Sequence, residues 1–308
     1  MESELIAYLR KRLPHHPLLR LGPGDDAAVL NMAGVDECVI TVDTLTDHVD
    51  FELDQVDPRR VGRKALAANL SDLAAMAARP LAGVVALVLP RKDGMSCAVG
   101  LFEGMLPLAE KYELAIAGGD TNSWDGPLAI SITLIGQVTP DGPLLRGGAR
   151  PGDHILVTGA FGGSILGRQF DFEPRVAEAL ILNERYKLHA GIDVSDGLSV
   201  DLAHLTEESG CGAVLQTDRI PLTDDARRLA EKLADGSTPL SHALNDGEDF
   251  ELILAVPPEE ARRLMAEQPL AVPLSDIGRF VAEPGLWRED RQGERHPLVP
   301  RGWEHEFD

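Results

Sequence analysis

Four times along this chain a short apolar or glycine-bearing run delivers aspartate: Leu21-Gly-Pro-Gly-Asp25-Asp26, Val39-Ile-Thr41-Val-Asp43, Ala115-Ile-Ala-Gly-Gly119-Asp120 and Gly191-Ile-Asp193-Val-Ser195-Asp196. A turn accounts for any one of them, because Asp and Gly are residues that tight turns select. Four together strain that account, since turns alone would use Asn and Ser as freely. Carboxylates arriving singly from separate segments suit a hard cation with oxygen ligands, and Mg²⁺ takes one or two of them with water and substrate phosphates. The constraint on the fold is therefore convergence of segments that lie far apart in sequence.

The remaining composition narrows the class. With 308 residues, 44% of them hydrophobic and 26% charged, the chain reads as a soluble globular protein of about two domains. Lys plus Arg number 29 against 50 for Asp plus Glu, a formal charge of −21 that repels polyanions, so nucleic acid is not an expected partner. Cys38, Cys97 and Cys211 are odd in number and form neither a C-x-x-C pair nor a zinc pattern, which fits a reducing cytoplasm. The first residues carry acids and Pro14 rather than a secretory signal. The longest apolar run, Leu81 to Leu89, falls short of the ~20 residues a membrane span needs. No membrane association is expected.

Periodicity predicts α+β, with two αβ domains divided at Pro140-Asp-Gly-Pro, residues 1–140 and 141–308. In the first, strands are predicted at Cys38–Val42, Val84–Leu89 and Leu128–Val138, and helices at Arg59–Arg79 and Phe102–Tyr112. Ala115–Ala117 leads into a Gly-Gly turn. In the second, strands are predicted at His154–Thr158, Ala213–Gln216 and Phe250–Val256. A helix follows Gly163, and others cover Val176–Arg185, Ser199–Glu208, Asp224–Ala234 and Pro258–Glu267.

Several residues admit two readings. Asn69 and Asp72 lie three apart in an otherwise apolar helix, as an exposed polar stripe or as a ligand contact. Gly159-Ala-Phe-Gly162-Gly163-Ser164 either packs a helix on a strand or offers backbone N–H groups to phosphate. Arg146, between Leu145 and Gly147, is a surface arginine or a ligand contact. Glu248 sits in an acidic cluster before a strand, and Trp303 is a core plug or a stacking face for a heteroaromatic ring. No P-loop, dinucleotide fingerprint or protein-kinase catalytic loop is present.

Taken in order, Gly22-Pro-Gly-Asp-Asp-Ala-Ala-Val-Leu, Thr41-Val-Asp-Thr-Leu, Lys64-Ala-Leu-Ala-Ala-Asn-Leu-Ser-Asp-Leu-Ala-Ala-Met, Gly118-Gly-Asp-Thr, Arg146-Gly-Gly-Ala-Arg-Pro-Gly-Asp, Ile192-Asp-Val-Ser-Asp-Gly-Leu, Gly247-Glu-Asp-Phe-Glu-Leu and Gly302-Trp-Glu-His resemble the aminoimidazole ribonucleotide synthetase (PurM-like) superfamily, from about residue 21 to the end. The closest resemblance is to its ATP-dependent kinases of thiamine monophosphate. It implies a PurM-like N-terminal domain that holds metal and ATP and pairs in a homodimer, an AIR synthase-like C-terminal domain, and ATP with several Mg²⁺ ions between them. Asp26, Thr41, Asp43, Asp72, Asp120, Asp193 and Asp196 match the metal positions. Gly119, Asp120, Arg146 and Ser195 match ATP contacts. Asp50, Glu248 and Trp303 match positions that contact thiamine monophosphate, and Arg146 and Asp196 are the residues assigned to the transfer itself.

The sequence departs from that pattern in three places. Asp50 stands where the family usually has His, with His48 displaced by two; Val42 stands where Thr is common; and the stretch from Gly163 to His189 is shorter than usual. All bear on the acceptor more than on ATP. A phosphate monoester, with a second pKa near about 6, is already a nucleophile at neutral pH, which fits a chain without a Ser/His/Asp or Cys/His arrangement. The alternatives are a relative acting on another small acceptor and a non-catalytic nucleotide- or metal-binding protein.

Overall fold

A computed structural model describes residues 19–21, 28–30, 37–290 and 292–304. Asp26 lies outside the described residues. Two sheets organise the chain. The first has the order β1 (Leu19–Leu21), β2 (Ala28–Leu30), β3 (Cys38–Thr46), β6 (Ala129–Gln137), β4 (Arg79–Pro90), β5 (Ala115–Trp124). It is antiparallel except for β4 and β5, which pair parallel across the helix that joins them. The second has the order β13 (Arg295–Pro297), β12 (Gly285–Glu289), β9 (Gly212–Gln216), β11 (Leu274–Val281), β7 (His154–Thr158), β10 (Leu252–Val256), β8 (Ala190–Asp193). This is the mixed αβ architecture predicted from the sequence.

One helix lies between the sheets. α1, Pro58–Ala75, starts where Pro58 occupies its first turn and the Asp57 carboxylate accepts from the Arg59 N–H at 2.8 Å. Val61, Ala65, Leu66, Leu70 and Leu73 are fully buried, and so are Lys64, Asn69 and Ser71. A helix buried nearly all round needs partners on every side. α1 has them in β3 and β6 of the first sheet and in β8 and the helix Val176–Arg185 of the second half. The core around it accordingly runs through both halves, from Leu66 and Ile132 to Leu156, Phe172 and Leu254.

α2, Gly94–Lys111, begins eight residues before the predicted Phe102. Its glycines weaken helix propensity, but one of them, together with one on α1, is needed for packing. A Cβ at Gly104 would meet the Arg59 carbonyl oxygen at 1.8 Å, and one at Gly62 on α1 would meet the Leu101 carbonyl oxygen at 2.1 Å. The two backbones touch there, so propensity is overridden by tertiary contact.

Two further expectations are corrected. Gly118 and Gly119 do not turn the chain: β5 continues through them to Trp124, with a register shift against β4 at Gly83/Val84. Beyond Gly163 there is only a three-residue 3₁₀ turn, Ser164–Leu166, and the short helix Arg168–Asp171. Strands β11 to β13 and the helix Pro239–Asn245 were not anticipated.

Both helices cover the same face of the first sheet. On the opposite face Val42, Leu81, Val84 and Ile135 from β3, β4 and β6 stay exposed. Among the described residues no helix is long and apolar enough to cross a membrane.

Candidate active site

The exposed-stripe reading of the apolar helix does not hold, because α1 carries its polar residues into the junction of the sheets. Thr41 Oγ1, on β3, donates a hydrogen bond to Asp72 Oδ2, and the Asp43 N–H donates to Asn69 Oδ1 at 3.2 Å. On the other side Ser71 Oγ donates to Asp193 Oδ2, at the end of β8. Three neighbouring positions of one helix thus tie Thr41 and Asp43 of the first sheet to Asp193 of the second. Asn69 completes its own satisfaction by donating to the Ala65 carbonyl at 3.0 Å.

Beyond β8 the chain turns through Val194 to Gly197 and enters the helix Leu198–Ser209. Asp201, one turn into that helix and 2% exposed, accepts from the N–H groups of Asp196 and Gly197 at 3.1 and 3.0 Å. Burial, then the charges of Asp196 and Asp193, push the Asp201 carboxyl well above the usual range, against the pull of Arg146 and the Gly197 N–H. Asp193 and Asp196 are therefore close enough to repel Asp201, and Arg146 close enough to oppose them. Asp196, Asp201 and His204 bring ligand atoms within 4.8 Å of one another. All the carboxylate and hydroxyl donors here are hard oxygens in a surplus of negative charge, a set that suits a divalent cation such as Mg²⁺.

The same turn anchors two more predicted residues. The Glu248 N–H donates to the Ser195 carbonyl at 2.7 Å, and the Trp303 N–H donates to the Asp196 carbonyl at 3.0 Å. The tail is pinned just before Trp303, where Ser199 Oγ donates to the Arg301 carbonyl at 2.9 Å. Gly302 is needed for this approach, as a Cβ there would meet the Asp196 carbonyl oxygen at 2.2 Å. Trp303 is 52% exposed, so its indole is held at the site's edge rather than plugging the core.

Asp50 reaches this neighbourhood by its backbone. Its carboxylate is turned onto the Thr46 N–H at 2.6 Å, while its carbonyl accepts from Lys64 Nζ at 2.8 Å. Lys64 Nζ also pairs with Glu248 Oε1. Asp50 and Glu248 therefore share one cation. His48, at the displaced position, is exposed and bonded to Glu52 at 2.9 Å.

Gly119 and Asp120 are not brought to this cluster within one copy. Asp120 pairs with Ala86, which is exposed on the face away from α1, and β5 is three strand spacings, about 14 Å, from β3. The glycine loop does not offer free phosphate donors either: Gly162 N–H donates to Asp249 at 2.9 and 3.1 Å, and Gly163 N–H to Asp246 at 2.9 Å.

Sequence reasoning missed Lys64, Ser71, Asp201 and Asp249. A lone lysine between Val61 and Ala65 in an apolar helix was the available signal for the first; nothing in the local pattern marks the others. Asp249, 1% exposed and also bonded to Arg168, has its carboxyl pushed up to about 7 by burial, with Arg168 opposing. Between about pH 4 and 7 the folded state then holds a proton that the unfolded chain has lost, so this group's contribution lowers stability as pH rises through that window and is level above it. Asp249→Asn should remove that slope. The difference in melting temperature, variant minus wild type, is expected to grow from pH 4 to 7; a constant difference would show that Asp249 titrates normally.

Comparison with known proteins agrees with this layout. Residues 24–138 match the AIR synthase related protein, N-terminal domain, family and residues 150–288 the corresponding C-terminal domain family. Over 312 residues the chain is 43% identical to the thiamine-monophosphate kinase of Rhodopirellula baltica, covering 99% of this chain and 97% of that protein. The Escherichia coli (strain K12) thiamine-monophosphate kinase is 34% identical over 327 residues, with 99% and 98% covered. The solved complex of AaThiL with AMPPCP and TMP superposes with a TM-score of 0.80 at 26% identity, covering 99% of this chain and 97% of that one.

Proposed function

The chain belongs to the AIR synthase related family, and on that footing we propose that it is a thiamine-phosphate kinase, transferring the γ-phosphoryl group of ATP to thiamine monophosphate to give thiamine diphosphate and ADP. The observation that carries this reading is the use of one buried helix, α1, whose Asn69, Ser71 and Asp72 gather Thr41, Asp43 and Asp193 from both sheets beside the turn that holds Ser195, Asp196, Glu248 and Trp303. The full-length likeness to kinases of this substrate supports the acceptor.

An oxygen of the thiamine monophosphate phosphate attacks the γ-phosphorus, and the bond from that phosphorus to the β,γ-bridging oxygen breaks, releasing ADP. The acceptor is already anionic, so no strong general base is needed. Catalysis then rests on positioning and on offsetting charge. Arg146 does the second from the protein side: its guanidinium is close enough to Asp201 to favour the charged carboxylate there, and so close enough to the site to offset phosphate charge. Asp196 is placed by its own N–H, bonded to Asp201, and by its carbonyl, bonded to Trp303. Ser195 and Arg146 are assigned to the nucleotide, and Glu248 and Trp303 to the thiamine moiety, with Asp50 beside them.

Thr41, Asp43, Asp72, Asp193 and Asp196 would hold Mg²⁺, with Asp26 of the same set. The fit rests on hard oxygen donors and on the surplus of negative charge that raises Asp201. Bound there, Mg²⁺ supplies neutralisation of the triphosphate and of the carboxylates facing it.

Division of the chain into residues 1–140 and 141–308 is supported by the two sheets, and homodimer formation by the uncovered apolar face of the first sheet. Gly119 and Asp120 belong to that face and its edge strand, so pairing of two copies there is the arrangement in which they serve a nucleotide site.

ADP release tests the reaction. With Mg-ATP, thiamine monophosphate should stimulate it by orders of magnitude over the ATP-only rate. Release that ignores thiamine monophosphate points to another acceptor, and no release with either points to a binding protein.

A further inference from the structure

We infer that Lys64 is the positioning residue of the acceptor site, holding Glu248 and the Asp50 loop to one point across the junction of the two sheets; this rests on the kinase reading above. Lys64 is 1% exposed on α1, and its ammonium has three partners in place: the Asp50 carbonyl at 2.8 Å, Gln169 Oε1 at 3.1 Å and Glu248 Oε1. The Phe170 ring lies over it, 5.2 Å from Nζ to the centroid. An ammonium has three donors, so the geometry uses all of them. A buried lysine is costly unless paired and hydrogen-bonded in this way.

What Lys64 holds would not hold itself. Glu248 has φ 54° and Phe250 φ 51°, left-handed conformations that cost energy in residues other than glycine and persist only where their surroundings impose them. On the far side of Glu248, Arg168 pairs with Asp249, and Arg168 and Gln169 belong to the same short helix. That helix is itself fastened to α1, where Arg60 pairs with Asp171 and Arg63 donates to the Phe170 carbonyl at 3.1 Å. The segment between Gly163 and His189 thus acts as a strap that presses on Lys64 and brackets the Glu248 loop. With Oε1 engaged by Lys64, Glu248 presents its other carboxylate oxygen in a fixed direction. That is an arrangement for a cationic ring, whose charge the Glu248 carboxylate complements.

The test is steady-state kinetics of the full chain with Mg-ATP saturating and thiamine monophosphate varied. Lys64→Met should raise KM for thiamine monophosphate about tenfold or more, with KM for ATP changed less than twofold and kcat much less affected than KM. Glu248→Gln should raise the same KM, and the double variant should be no worse than the more impaired single, because both changes remove one positioned carboxylate. Should Lys64→Met fail to melt cooperatively, Gln169→Leu replaces it, with an expected threefold or greater rise in the same KM alone. A KM for thiamine monophosphate that is unchanged or lowered, or single effects that multiply in the double, would overturn the role of Lys64. Absence of thiamine monophosphate-dependent ADP release in the wild type would instead overturn the kinase reading.

Discussion

In EDTA the protein is expected to lose nearly all affinity for ATP, and Asp72→Asn is expected to lower kcat by roughly 10² or more with Mg²⁺ present, the scale seen when one preorganised electrostatic contact is removed. The chain carries a formal charge of −21, and its candidate ATP site is lined by Asp43, Asp72, Asp193 and Asp196. Two unit charges about 4 Å apart repel by about 4 kcal/mol at an effective dielectric of about 20. A triphosphate entering without a cation meets several such terms. Asn keeps the shape of Asp72 and can still accept from Thr41, so a loss of activity would report charge rather than packing. The stability readout separates the two further: without metal, Asp72→Asn removes repulsion and should leave the melting temperature equal or higher. Calorimetric titration with ATP, with and without Mg²⁺, checks the first half. Equal affinity in both would sink the metal reading.

Trp303→Ala is expected to raise KM for thiamine monophosphate about tenfold or more while leaving ATP affinity nearly intact. The indole is 52% exposed, and its backbone is fixed by the Asp196 carbonyl and the Ser199–Arg301 pairing. Its ordering cost is thus largely met before substrate arrives. Stacking of a flat ring on an aromatic face contributes about 1 to 3 kcal/mol in nucleic-acid systems, and a cation over an indole about 0.5 to 2 kcal/mol. Tenfold corresponds to about 1.4 kcal/mol, within either range. Because the side chain fills no core, the melting temperature should barely move. Unchanged acceptor kinetics in this variant would return Trp303 to the surface. Asp50→His must be read with the Thr46 N–H in mind, since His would surrender that turn bond at 2.6 Å.

Local pattern carried much of the fold. Helices Val176–Arg185 and Pro258–Glu267 and strand His154–Thr158 end where periodicity placed them, because their apolar spacing and flanking turns agree with their tertiary environment. It failed where long-range contact overrode local preference. The helix expected from Phe102 begins at Gly94, and Gly104 within it lets two helix backbones touch. Gly118 and Gly119 read as a turn, yet parallel pairing with β4 keeps them extended in a strand with a bulge. The loop at Gly159–Ser164 left packing and a phosphate cradle both open, and Asp246 and Asp249, more than 80 residues away, take the donors of Gly163 and Gly162.

The sequence by itself determined part of the chemistry: which carboxylates recur beside strands and glycines, and a charge of −21 that disfavours a polyanionic partner. Residue type and spacing are enough for that, because charge, donor hardness and turn preference are local properties. Only the tertiary structure decided how these groups meet. It put α1 between two sheets, so that Asn69 and Asp72 face β3 while Ser71 faces the end of β8. It set Asp120 on the outer face of the first sheet, apart from the other carboxylates. It buried Lys64 against Asp50, Gln169 and Glu248. Each of these depends on packing between segments tens to hundreds of residues apart, and the free energy of such contacts comes from desolvation and close approach, which no single stretch of sequence contains.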